Sequence, residues 1–180
     1  MKNRVDTKWY GNGKKKSEHN YNVGFCISLT SFLKISFNVK ENGLETHWYE
    51  SGQKQEEITY KDGEEDGLFT FWYENGQKSY EENYRDGIRV GKWIGWYENG
   101  KKSSEKHYKN NKRDGKWTSW YDNGQKSSER FYNNDKIEGI ENYWYKKGQK
   151  FRELTYIDNK LISEKTWNED GSVKKNKKSN

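Results

Sequence analysis

Three kinds of residue in this sequence could do chemistry: a glutamate recurring at Glu18, Glu57, Glu81, Glu105, Glu129 and Glu153, the histidines His19, His47 and His107, and an excess of Trp and Tyr. Paired carboxylates are the tools of glycoside hydrolysis. A carboxylate that recurs at a fixed interval is different, because a catalytic site is built once, so we read each glutamate as a cross-strand partner for Lys or Thr. The histidines fall at unlike places in the same interval, so we expect incidental surface histidines and no common ligand face. The single cysteine, Cys26, excludes an intrachain disulfide and a thiolate cluster. No Ser-His-Asp order, phosphate-cradling loop or metal-ligand spacing is visible. The expectation is a non-enzyme with no catalytic residues, no metal and no cofactor. That leaves the aromatics, which could stack on sugars, bases or a partner's side chains.

These aromatics are placed by an internal repeat. Trp-Tyr pairs start at Trp9, Trp48, Trp72, Trp96, Trp120 and Trp144, and a degenerate copy, Trp167-Asn168, follows. From Trp48 to Trp144 the interval is 24 residues four times running. With Trp as position 0, a glycine stands at +4 and, in the first six copies, Lys at +6, Glu at +9 and Tyr at +12. A further glycine stands at −5 from Gly43 to Gly139. A fixed period of this length is the signature of a stacked repeat architecture. One interval departs from it: Trp9 to Trp48 spans 39 residues, and residues 22–41 concentrate the aliphatic side chains. We expect this irregular segment to be an eroded repeat that still supplies one or two strands, the alternatives being an exposed apolar docking strand and a lipid-inserted hairpin.

Asn-Gly between extended polar and aromatic runs predicts a β-hairpin with a two-residue type I′ turn. The polar connection between hairpins, such as Tyr108 to Gly115, predicts a longer turn. In that register one face carries Trp96, Trp120, Trp144, Thr118, Ser103, Ser127 and the glutamates. The other carries Tyr97, Tyr121, Trp93, Trp117, Phe69, the +6 lysines and the +12 tyrosines. Both faces are half aromatic and half charged, so the predicted fold is all-β: an elongated single-layer antiparallel meander of stacked β-hairpins over 1–171, followed by a lysine-rich tail, 172–180. Position-0 tryptophans should be at least half buried and the +1 and +12 tyrosines less so. The residues offered to a partner are then Tyr73, Tyr97, Tyr121 and Tyr145, with Trp93, Trp117, Tyr84, Tyr108 and Tyr132.

Composition agrees. Hydrophobic residues make up 29% of the 180, yet there are 9 Trp, 14 Tyr, no Pro and no Ala. Disordered chains avoid aromatics and helical bundles favour Ala and Leu. The net charge of +6 sits at the ends, and residues 17–173 are slightly acidic. A nucleic-acid face is therefore not expected. The segment 1–11 lacks the apolar centre of a secretory signal, and the stretch 23–39 is too short and too interrupted for a membrane span. We expect a cytoplasmic protein.

The motifs D-G-K-W-T-S-W-Y-D-N-G-Q-K-S-S-E-R-F-Y at 114–132 and E-D-G-L-F-T-F-W-Y-E-N-G-Q-K at 65–78 resemble the MORN-repeat superfamily. They are most similar to the bacterial variant repeats of YwqK-type antitoxins, and the resemblance runs over 1–171. It implies stacked β-hairpins without enzymatic activity in the repeats, and an antitoxin or immunity role. Gly115-Lys116-Trp117 keeps only the first glycine of the standard Gly-x-Gly step, so the family's phosphoinositide binding is not carried over. The expected function is protein–protein interaction with an unidentified partner, a toxin in its sharpest form. The alternatives are a carbohydrate- or choline-binding surface repeat, and an anionic-phospholipid tether through Lys14, Lys15, Lys16 and the lysines from Lys174 to Lys178.

Overall fold

The computed structural model describes residues 2–28 and 34–178. Over these residues the chain forms nineteen strands and no helix, and every strand pairing is antiparallel. Two units are distinguished, Met1–Gln77 with Asn83–Ile88, and Lys78–Glu82 with Arg89–Asn180. In the first, Lys2–Trp9 pairs with Lys15–Ser28, which pairs in turn with Lys34–Glu41 and Gly43–Trp48. Gly43–Trp48 pairs with Lys54–Lys61, and that strand with Gly67–Trp72. The irregular segment thus supplies strand on both sides, and its residues 29–33 lie outside the described ones. In the second unit the order runs Gly91–Trp96, Lys102–Lys109, Gly115–Trp120, Lys126–Asn133, Gly139–Trp144, Lys150–Ile157, Lys160–Trp167 and Val173–Lys178. The lysine-rich end is therefore largely a paired strand.

The two kinds of turn are exchanged relative to the sequence expectation. At Asn99-Gly100 the Gly100 N–H donates to Tyr97 O at 2.9 Å and the Tyr97 N–H to Lys101 O at 2.8 Å. Only the glycine takes a positive φ there, at 77°. This is a three-residue loop, a type I turn closed by a left-handed glycine, and not a type I′ turn. The same pair of bonds recurs at Tyr49, Tyr73, Tyr121 and Tyr145. Asn is present for its side chain: Asn99 Oδ1 accepts the Lys101 N–H at 3.0 Å, and Asn75 and Asn123 do the same two residues on. The type I′ turns lie at the opposite end of each strand. Asp62-Gly63, Asp86-Gly87, Asn110-Asn111, Asn134-Asp135 and Asp158-Asn159 have positive φ at both residues.

The longer loop leaves one residue over, and that residue changes the faces. Ile94 faces Glu105 and Trp93 faces Lys106 as expected, but Trp96 then pairs with Lys102 and not with Ser103. The same bulge recurs between −1 and 0 in the hairpins of Trp9, Trp48, Trp120 and Trp144. A one-residue slip sends a side chain to the other face. Position +6 therefore joins the glutamates: Lys102 Nζ lies 2.7 Å from Glu105 and 5.9 Å from the centre of the Trp120 ring. Position +7 crosses to the tyrosine face, where a Cβ on Gly95 would stand 2.9 Å from Ser103 Oγ and 2.8 Å from Ser104 Oγ. The predicted placement of the +6 lysines, Ser103 and Ser127 is thus reversed by the bulge.

The buried apolar side chains, Phe69, Tyr132 and Leu154, belong to positions −3, +12 and +10, all on the face away from the position-0 tryptophans. The expected order of burial is corrected accordingly. Tyr132 is 2% exposed, while the position-0 tryptophans from Trp48 to Trp167 are half-buried. Each of Trp48, Trp72, Trp120, Trp144 and Trp167 lies under the +6 lysine of the copy before it, 5.4–5.9 Å from ring centre to Nζ. Trp9 is 58% exposed.

Candidate functional site

On the tyrosine face of the second unit the −3 and +12 aromatics interleave. Trp93 and Tyr108 lie 4.8 Å apart between ring centres, Tyr108 and Trp117 5.3 Å, and Trp117 and Tyr132 5.1 Å. They meet because a +12 residue pairs with −5 of its own hairpin and turns directly into the next copy, whose −3 residue lies beside it. Trp117 is fixed further by its indole N–H, which donates to His107 O at 3.0 Å. Cations lie over the row. Arg89 is 5.3 Å from Trp93, Lys106 5.4 Å from Trp117, and Arg113 4.3 Å from Tyr132. Such contacts hold guanidinium and ammonium groups against ring faces while one side stays wet. Beside the row, small residues at −1 and +8 leave the backbone low. Two shallow hollows of about 90 and 180 Å³ open there, the first bordered by Trp93, Gly95, Ser104 and Lys106, the second by Trp117, Ser119, Ser128 and Arg130.

Of the residues expected to meet a partner, Trp93, Trp117, Tyr108 and Tyr132 are thus brought together, though Tyr132 is spent almost wholly on packing. Tyr84 packs on Phe69 in the first unit at 4.6 Å. The +1 tyrosines serve as ties between copies. The hydroxyls of Tyr97, Tyr121 and Tyr145 donate to the carbonyls of Trp120, Trp144 and Trp167 at 2.6, 2.7 and 3.1 Å. Tyr73 is half-buried at the start of its turn, its N–H on Gln77 O at 2.8 Å. Sequence reasoning missed the cations Arg89, Lys106, Arg113 and Arg130. Their positions, −7 and +10, change residue type from copy to copy and so carry no periodic signal.

The MORN repeat variant family matches residues 41–62, 65–86, 89–110 and 113–134, four consecutive copies in phase with the 24-residue period. The chain belongs to the MORN-repeat superfamily. No curated protein matches it. Among solved structures, a protein of unknown function from Bacteroides fragilis is similar over 99% of this chain and 92% of its own, at 10% identity and a TM-score of 0.17, a likeness too slight to bear on the fold.

The recurrent glutamate of this MORN unit serves the framework. Lys15, Lys54, Lys78, Lys102, Lys126 and Lys150 each hold the glutamate three residues on, and Lys92 and Lys116 reach Glu105 and Glu129 from the neighbouring strand at 3.2 and 2.8 Å. The bond from Lys102 holds the Glu105 carboxyl at about 2, down from 4.5, with Lys92 adding to the effect against the opposing cost of burial. Glu153 is lowered mainly by Lys150, and Glu129 is lowered by Lys116 and Lys126 despite its burial. Because these carboxyls titrate lower in the folded chain, their contribution is complete above about pH 4.5 and is lost as pH falls toward about 2. Acid unfolding followed by Trp fluorescence at fixed urea should show stability level near neutrality and falling in that window. Lys102→Gln should move the fall to higher pH and cost about 0.5–1 kcal/mol at neutrality, as expected for a partly exposed pair. A matching change at exposed Lys109 should do neither.

The histidines depart from the expectation of unrelated surface positions. His19 and His47 come together around one carboxylate oxygen, Glu45 Oε1, at 2.9 and 2.5 Å. His107 lies apart in the second unit, 3.6 Å from Glu105.

Proposed function

We propose that this MORN-repeat protein is a non-enzymatic recognition module that binds a protein partner on the aromatic and cationic face of its second unit. The supporting observation is the Trp93–Tyr108–Trp117–Tyr132 row flanked by Arg89 and Lys106, with two shallow hollows beside it. Trp, Tyr and Arg are the residues that dominate binding energy at interfaces. Their sign favours a partner surface carrying Asp or Glu around an apolar anchor. In its sharpest form the module is the antitoxin or immunity protein of a toxin–antitoxin pair, acting in the cytoplasm. Among the described residues no helix is long and apolar enough to cross a membrane.

The alternatives draw less support. A choline-type cation would have to displace the chain's own Lys and Arg from these rings. A lipid tether through the N-terminal lysines would have to release Lys14 from Ser51 O and Lys15 from Glu18.

A photocrosslinking residue placed in the native host at Ser104 or Ser128, which border the hollows, should capture one discrete protein. The same residue at Phe131 or Ile140, exposed on the opposite face of the sheet, should not. The adduct should weaken with salt and vanish in Lys106→Glu. Equal capture from all four positions, or none from the first two, rejects the proposal. Growth rescue on co-expression with the captured protein tests the antitoxin form.

A further inference from the structure

The cluster in the first unit is independent of the aromatic face, and it is built as ligand sets in sheets are built. Glu45 and His47 alternate on the strand Gly43–Trp48, so both point to one side. The pairing Ser17 with His47 and Glu18 with Thr46 brings His19, on Lys15–Ser28, opposite Glu45. Across the other edge His47 pairs with Glu56, on Lys54–Lys61, and its Nε2 lies 3.9 Å from Glu56 Oε1. Four potential ligands therefore converge from three adjacent strands. His19 Nδ1, Glu45 Oε1 and a nitrogen of His47 lie within 4.8 Å of one another. The imidazole rings stand edge to face at 5.3 Å, which aims two nitrogens at one point without stacking the rings. Side-chain exposures of 17% for His19 and 13% for Glu45 mean the donors are largely preorganised, yet open on one side.

We propose that His19, Glu45 and His47 bind a single divalent transition-metal ion, best matched by Zn²⁺, with Glu56 or water as fourth ligand. Zinc bonds of about 2.0–2.2 Å in a tetrahedron separate the donors by about 3.3–3.5 Å. The observed 2.5, 2.9 and 3.9 Å bracket that value, so small side-chain rotations suffice. Two imidazoles with a carboxylate favour zinc, cobalt or nickel over magnesium and calcium, which prefer all-oxygen sites. Two neutral imidazoles beside Glu45 and Glu56 leave the site net negative, as a dication requires. Bound metal would tie the hairpin of the first copy to that of the second, where the sequence loses its regular period.

Tag-free full-length protein, stripped with chelator, is titrated with Zn²⁺ and separately with Co²⁺. One equivalent should bind, Co²⁺ should give the visible absorption of a four-coordinate ion, and Mg²⁺ and Ca²⁺ should not compete. Glu45→Gln and His47→Asn should each weaken Zn²⁺ binding by at least about tenfold, and His107→Asn should leave it unchanged. In the unsubstituted protein Zn²⁺ should shift the imidazole NMR signals of His19 and His47 and spare those of His107. The proposal is overturned if no equivalent binds, or if the His19 and His47 signals do not move. It also fails if folded E45Q and H47N titrate like the unsubstituted chain. The partner-binding face is untouched by any of these outcomes.

Discussion

Tyr132→Ala is expected to cost about 3–5 kcal/mol, the range for removing a large ring from a packed site. Tyr132 is 2% exposed, its ring stands edge-on to Trp117 at 5.1 Å, and Arg113 covers its other side at 4.3 Å. In a sheet with few aliphatic side chains there is little that can collapse into the space, so the cavity persists. Tyr132→Phe separates ring from hydroxyl. The hydroxyl accepts a long bond from Arg130 at 3.4 Å and lies beside the Arg113 guanidinium, so this change should cost about 1 kcal/mol. Tyr80→Ala, at a side chain 50% exposed, should also be mild. Urea unfolding monitored by circular dichroism measures all three. A loss below about 1 kcal/mol for Tyr132→Ala would mean that the aromatic row decorates the second unit and does not hold it together.

Glu141→Ala should cost about 2–4 kcal/mol by a different route. Glu141 takes the −3 place held by Phe69, Trp93 and Trp117 in other copies, yet it is 2% exposed. It accepts from the Tyr143 hydroxyl at 2.7 Å and faces Arg130 Nε at 3.0 Å. Truncation strands both donors, and removing one member of a buried pair costs about 3–5 kcal/mol. The lower range reflects Arg130, whose side chain is 29% exposed and regains some hydration. A second readout is specific to the charge. Burial, then the bond to Glu141, keeps the Tyr143 hydroxyl up at about 12, so losing the carboxylate should bring it down toward 10 in an ultraviolet titration. An Arg130→Ala, Glu141→Ala double-mutant cycle should show strong coupling between the two positions. An unchanged Tyr143 titration with unchanged stability would contradict the described geometry.

The hairpin unit, its period and its all-β class are legible in sequence, because Trp-Tyr, the +4 glycine and the +12 tyrosine repeat wherever the fold needs them. The shared face of Trp93, Trp117, Tyr108 and Tyr132 follows from −3 and +12 alone, since both lie beyond the bulge next to the Asn-Gly turn. Asn-Gly satisfies both a type I′ turn and a type I turn closed by glycine, so local chemistry did not separate them. A signal was available at the other end, where Asp62-Gly63, Asn110-Asn111, Asn134-Asp135 and Asp158-Asn159 fall at the same place in the period and all tolerate positive φ. The histidine cluster carries no periodic signal in the sequence. His19 at +10 and His47 at −1 are neighbours only through pairing between successive copies.

By itself the sequence determined that aromatic hairpins recur every 24 residues and that this repetition replaces an aliphatic core. Propensity and turn chemistry act within a few residues, and a repeat states them several times over. Only the tertiary structure decided that the +6 lysines lie with the glutamates and the tryptophans, and that two histidines meet at Glu45. Both depend on one bulged residue and on the register between hairpins. Those are set by hydrogen bonds between segments far apart in the chain, to which any single copy of the motif is indifferent.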